Sequence, residues 1–117
     1  MRALVVEDEA QIAAEISAHL TQAGYVVETC ADGEEAWSRA GSEDFDGIIL
    51  DLGLPRLDGL SVVRQLRAAG VTTPILVLTT ESEPEKKNLA REAGATGWMV
   101  KPFDPDRLIA TIHKVAP

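Results

Sequence analysis

A single cysteine, Cys30, stands in the whole sequence. Neither an internal disulfide nor a cysteine-held metal can form, and a partly buried thiol at a strand end is the expected role. Positive charge is also scarce: 11 Lys and Arg against 19 Asp and Glu leave a formal net charge of −8. Phosphate backbones are bound by clustered Lys and Arg, so this balance argues against nucleic acid as a partner of the domain. No apolar stretch approaches the roughly 20 residues of a membrane span. The N-terminus lacks the basic start and apolar core of a signal peptide, since Glu7, Asp8 and Glu9 break the only early apolar run. A cytoplasmic protein with no membrane contact is expected. Glycine-rich nucleotide loops are absent. His19 and His113 lie on helical patterns away from any nucleophile, so no Ser/His/Asp relay can be assembled. Trp37, on a helix without polar company, is read as structural.

What is present is a regular alternation. The 117 residues, 45% hydrophobic and 26% charged, suit one globular domain, 1–117, too short for a second folded unit. Apolar runs near 2–6, 25–29, 46–50, 74–78 and 97–100 alternate with helical patterns, the signal for βαβ units. Ile12, Ile16 and Leu20 mark the first helix, which stops at Gly24. The second opens on Asp32 with Glu35 three residues on, a capping-box spacing, and fades by Gly41. Leu60, Val63 and Leu66 give the third its inner face, with Gly70 at its end. The fourth starts near Pro84, turns Leu89, Ala90 and Ala93 inward, and ends at Gly94. In the fifth, Asp104 caps, Pro105 takes the first turn, and Leu108, Ile109, Ile112 and Val115 face the sheet. The expected fold is α/β, a (βα)5 doubly wound, flavodoxin-like five-stranded parallel sheet of order 2-1-3-4-5.

The strands finish in polar groups. Ala3-Leu4-Val5-Val6 runs into Glu7-Asp8-Glu9, Gly47-Ile48-Ile49-Leu50 into Asp51, Pro74-Ile75-Leu76-Val77-Leu78 into Thr79-Thr80, and Gly97-Trp98-Met99-Val100 into Lys101. In a parallel sheet these carboxyl ends share one rim, where function collects. Crowded acids raise each other's proton affinity unless a cation neutralises them. A hard, oxygen-seeking Mg2+ suits that task with one or two carboxylates plus phosphate oxygens. Asp51 would then act as a half-buried nucleophile, since carboxylates can accept phosphoryl groups.

Each residue has a plainer reading. Glu7, Asp8 and Glu9 could simply favour the dipole of the first helix, and Asp51 could be a surface loop acid. Thr79 could be a β-branched strand residue, Lys101 an exposed lysine, and Trp98 a core or edge aromatic. Their joint occurrence at strand ends favours the site. A cis Lys101-Pro102 peptide would aim the ammonium at the rim, although sequence leaves the isomer open.

With these residues in order, the whole chain resembles a response-regulator receiver domain. The resemblance implies that Glu7, Asp8 and Asp51, with the backbone carbonyl of Gly53, hold Mg2+, and that Asp51 accepts the phosphoryl group. It implies that Thr79 is the switch hydroxyl, Lys101 the lysine of the site, and Trp98 the rotating aromatic. The first half, with Leu50-Asp51-Leu52-Gly53-Leu54-Pro55, is similar to receivers of winged-helix transcription factors. The second half, from Thr79 through Lys87 and from Gly94 to Trp98, is similar to single-domain chemotaxis regulators. A natural hybrid, or an engineered chimera joined between helix three and strand four, would explain the division. Thr80 stands where a smaller residue is usual and would tighten access, and Glu81 could contact an attacking water.

The resemblance further implies phosphorylation by a histidine kinase or phosphotransfer protein, and a helix 4/strand 5/helix 5 face that changes shape toward a downstream protein target. Such a domain catalyses its own phosphorylation and dephosphorylation only. A stand-alone signalling module is the leading expectation. The isolated receiver of a DNA-binding transcriptional regulator, with its output domain beyond Pro117, is the second. A turnover phosphatase is the third; it would need a general acid two residues after the nucleophile, where Gly53 stands.

Overall fold

The computed structural model describes residues 1–54, 56–80 and 84–115, with the side chains of Pro84 and Val115 left aside. The expected roles of Pro55, Glu81, Val115 and Pro117 therefore lie outside the described residues. Five strands alternate with five helices: β1 (Arg2–Val6), α1 (Ala10–Gln22), β2 (Val26–Cys30), α2 (Gly33–Ser42), β3 (Gly47–Asp51), α3 (Gly59–Ala68), β4 (Ile75–Thr79), α4 (Pro84–Ala93), β5 (Gly97–Val100) and α5 (Pro105–Val115). The strands form one parallel sheet of order β2-β1-β3-β4-β5, as expected. No described helix is long and apolar enough to cross a membrane.

Burial on both faces explains the unbroken apolar strands. Leu4, Val6, Ile48, Leu50, Ile75 and Val77 point to the side covered by α2, α3 and α4, where Ala36, Ala40, Val62, Val63, Leu66, Ala90 and Ala93 meet them. Ala3, Val5, Ile49, Leu76 and Leu78 point to the other side, against Ile16 and Leu20 of α1 and Leu108 and Ile112 of α5. The helix ends follow their local chemistry. Asp32 and Asp58 accept the backbone N–H groups of Glu35 and Ser61 at 2.8 and 3.0 Å, and Asp104 accepts that of Asp106 at 3.0 Å. After α1, α3 and α4 the chain turns on glycines with φ of +96°, +83° and +109° at Gly24, Gly70 and Gly94, the left-handed region that only glycine enters without a side-chain clash.

Several expected details differ. β2, β3 and β4 each begin and end one residue later than the apolar runs suggest. The ladder extends into polar residues because Asp51 pairs with Leu78 and Thr79 with Val100, so Asp51 and Thr79 are the last residues of their strands. α2 passes through Gly41 to Ser42, Gly41 having open space around it. In α3 the inner face is Val62, Val63 and Leu66, whereas Leu60 is only half-buried. In α4, Ala90 and Ala93 are buried but Leu89 is 39% exposed: one residue is about 100° of helix, and the face set by the two alanines leaves Leu89 outside. Cys30 stands at the end of β2, as expected, but is buried rather than partly buried, and burial pushes its thiol up to about 12.

Candidate phosphoryl-acceptor site

The parallel ladder delivers the ends of β1, β3, β4 and β5 to one rim. Glu7 follows β1, its backbone N–H donating to the Cys30 carbonyl at 3.1 Å. Asp51 ends β3, and the next residue, Leu52, donates its N–H to the Leu78 carbonyl at 2.9 Å. Lys101 follows β5, with its own N–H on the Thr79 carbonyl at 2.7 Å. These backbone bonds continue the sheet past its last residues and fix where the polar side chains start.

One carboxylate oxygen each from Glu7, Asp8 and Asp51 lies within 4.8 Å of the others. Glu7 and Asp51 are buried, at 3% and 7% exposure, while Asp8 is exposed. The Lys101 ammonium donates to Glu7 Oε2 at 2.8 Å and stands 3.5 Å from Asp51 Oδ1. The Lys101–Pro102 peptide is cis. Asp51 Oδ1 also accepts the backbone N–H of Gly53 at 3.3 Å, and Glu7 Oε1 that of Glu9 at 3.3 Å. Thr79 is buried at 5% exposure.

Two carboxylates, Glu7 and Asp51, share the Lys101 ammonium, and the electrostatics reflect it. Burial raises the Glu7 carboxyl above the usual carboxylate range; the Lys101 hydrogen bond pulls it back, and the charge of Asp51 adds to the rise. Burial acts against the Lys101 ammonium, but the Glu7 hydrogen bond and the charge of Asp51 outweigh it and hold the group above its ordinary value. The three carboxylates offer a hard cation such as Mg2+ an all-oxygen donor set.

A pocket of about 410 Å3 opens over these groups, walled by Asp8, Asp51, Gly53, Thr79, Thr80 and Lys101. Glu7 sits behind it, engaged with Lys101. A Cβ at Gly53 would stand at ordinary contact distance, 3.9 Å, from Asp51 Oδ2. Trp98 is not in the pocket. It packs half-buried on the α3/α4 side of the sheet, beside Lys87, Ala90 and Arg91. It pairs with Val77, while Thr79, two residues on along the same face, pairs with Val100.

Sequence reasoning missed three contributors. Asp58, Leu60 and Lys86 complete the pocket from the start of α3 and the first turn of α4. Gly33 at the start of α2 carries no side chain where a Cβ would run into the Leu57 carbonyl oxygen, and Arg56, with φ of 69°, reaches Asp32 at 3.9 Å and Glu34 at 3.6 Å. Arg56 and Leu57, which follow Asp51 in the chain, are thereby held against α2. The Asp32-Gly33 pair was visible only as a cap.

Comparison with known proteins agrees with this geometry. A family model described as the response regulator receiver domain matches residues 3–113. The chain is 43% identical over 112 residues to the alkaline phosphatase synthesis transcriptional regulatory protein PhoP of Bacillus subtilis, covering 96% of this chain and 47% of that protein. It spans about half or less of the length of the curated relatives it matches. Among solved structures, the chemotaxis response regulator CheY4 of Vibrio cholerae superposes with a TM-score of 0.90 at 45% identity, covering 97% of both chains. The receiver domain of the sensor histidine kinase PA1611 of Pseudomonas aeruginosa, solved with a magnesium ion coordinated in its active site cleft, gives a TM-score of 0.90 at 32% identity over 98% of this chain and 96% of that one. With its topology, the grouping of Glu7, Asp8, Asp51 and Lys101, and the family match over residues 3–113, the chain belongs to the response regulator receiver domain family.

Proposed function

We propose that residues 1–117 act as one receiver domain that takes a phosphoryl group onto Asp51 and uses it as a switch. The observation that carries this reading is the buried Asp51 carboxylate 3.5 Å from the Lys101 ammonium and inside a three-carboxylate cluster. Glu7, Asp8, Asp51 and the carbonyl of Gly53 would hold Mg2+. When bound, that ion supplies positive charge against the carboxylates and the phosphoryl oxygens.

The remaining chemistry falls to the chain. A histidine kinase or phosphotransfer protein presents phosphohistidine; an Asp51 oxygen forms the bond to phosphorus as the phosphorus–nitrogen bond breaks. The electron pair returns to the imidazole nitrogen, which leaves as neutral imidazole when its other nitrogen carries a proton. Lys101, positioned by Glu7, offsets charge on the oxygens in flight. Thr79 then bonds a phosphoryl oxygen and Trp98 turns, changing the α4/β5/α5 face seen by a downstream protein target. That shift requires contacts made in one state and not the other, and the Thr79 bond is one. Water attack on phosphorus breaks its bond to the Asp51 oxygen, releases inorganic phosphate and restores the carboxylate, so turnover is confined to the domain itself. We place this activity in the cytoplasm, without nucleic acid or membrane contact through this domain.

Tryptophan fluorescence during addition of Mg2+ and then a small phosphodonor tests the reading. Wild type responds to both, and Asp51→Asn loses the donor response. An unchanged donor response in Asp51→Asn would assign the modification elsewhere.

Two settings fit. The 45% likeness to CheY4 across both chains supports a stand-alone chemotaxis-type module, and the 43% likeness to about half of PhoP supports the receiver of a DNA-binding regulator. The native reading frame beyond Pro117 separates them. The differing motifs of the two halves support a hybrid or an engineered chimera joined between α3 and β4. Comparing residues 1–70 and 71–117 separately with relatives tests it: opposite nearest subfamilies support the join, and a shared one overturns it.

A further inference from the structure

Resting on that reading, we infer that Lys86 is a positioning residue for the phosphodonor, recruiting its anionic group into the pocket above Asp51. The pocket is an awkward destination for an anion. The domain carries −8, and Asp8, Glu9 and Asp58 line the opening with Asp51 at its floor. The cation within, Lys101, is committed to Glu7 at 2.8 Å and Asp51 at 3.5 Å, with a side chain only 12% exposed. Lys86 is the other ammonium of the lining. It stands exposed in the first turn of α4 and makes none of the ion pairs found among the described residues. The adjacent Lys87 faces away, into the depression beside Trp98. An ammonium at the mouth with no ion-pair partner among the described residues acts on an approaching anion before Lys101 is within reach, and it does so at a range set by ionic strength.

The experiment measures the second-order rate constant for phosphorylation of the whole chain by acetyl phosphate, at saturating Mg2+, by intact mass across ionic strengths. Lys86→Ala should lower it about threefold to tenfold at low salt, Lys86→Glu should lower it further, and Lys86→Arg should keep most of it. The differences should shrink as salt screens the charge. Lys114→Ala, which removes the same charge at the last turn of α5, at the opposite end of the sheet, should match wild type. Mg2+ affinity read from tryptophan fluorescence should be unchanged or tighter in Lys86→Ala. Equal low-salt rates for wild type, Lys86→Ala and Lys86→Glu would overturn the inference, as would an equal loss in Lys114→Ala or a loss explained by weaker Mg2+ binding. A wild type phosphorylated at Asp51 alongside unaffected variants would remove Lys86 and leave the proposed function standing. A wild type that takes no phosphoryl group would remove both.

Discussion

Lys101 shows how a single side chain serves two masters. Its ammonium neutralises Glu7, a carboxylate with almost no solvent of its own, and faces Asp51. Lys101→Ala leaves Glu7 buried without its cation, and we expect a loss of about 1–3 kcal/mol in chemical denaturation without divalent ions. Saturating Mg2+ should recover part of that loss, since a cation in the cluster supplies the missing charge. A variant as stable as wild type in metal-free buffer would contradict the pairing. A different residue governs the acid side. The backbone N–H and hydroxyl of Ser61 hold the Asp58 carboxyl below the usual aspartate range. A depressed native pKa means stability that is present above the unfolded value and lost as pH falls through the folded one. Asp58→Ala should therefore cost about 1 kcal/mol near neutrality, with the gap to wild type closing in acid. A gap that persists in acid would rule out the capping carboxylate as its source.

The elements place these residues, and Gly33 is where one element supports another. A Cβ there meets the Leu57 backbone, so Gly33→Ala must push α2 and the loop after Asp51 apart. We expect a stability loss of about 1–3 kcal/mol and, because that loop carries Gly53, weaker Mg2+ binding in a fluorescence titration. Retained metal affinity would show that the loop keeps its place without the brace. Leu66→Ala, in the α3 core at 0% exposure, should cost about 2–5 kcal/mol while leaving metal affinity in the surviving folded protein unchanged. The contrast separates support of the site from support of the fold. Element identity was legible in the sequence because apolar runs and helical periods alternate so regularly. Strand ends were displaced by one residue because hydropathy stops at Leu50 and Leu78, whereas the ladder hydrogen bonds do not. Leu89 misled because hydrophobicity alone does not choose between neighbouring faces of a helix on which small alanines make the contact.

At the scale of the molecule, the site is a product of topology. Glu7 and Lys101 are 94 positions apart in sequence, and only the parallel order of β1, β3, β4 and β5 brings them into hydrogen-bond distance. Asp51, Thr79 and Lys101 could be picked out beforehand because each closes an apolar run with a polar group. Lys86, Asp58 and Gly33 could not, since they reach the pocket or its bracing through helix starts whose position over the rim depends on packing between elements. The crowding of acids was legible in the sequence, and the structure brings one oxygen from each of Glu7, Asp8 and Asp51 within 4.8 Å of the others.

Asp51 as the proposed acceptor is tested most directly by mass-spectrometric mapping after exposure to acetyl phosphate and Mg2+. One added phosphoryl group is expected in wild type, located at Asp51 after reductive trapping of the acyl phosphate, and none in Asp51→Asn. An equal gain in Asp51→Asn, or a wild-type label on any other residue, would contradict that role.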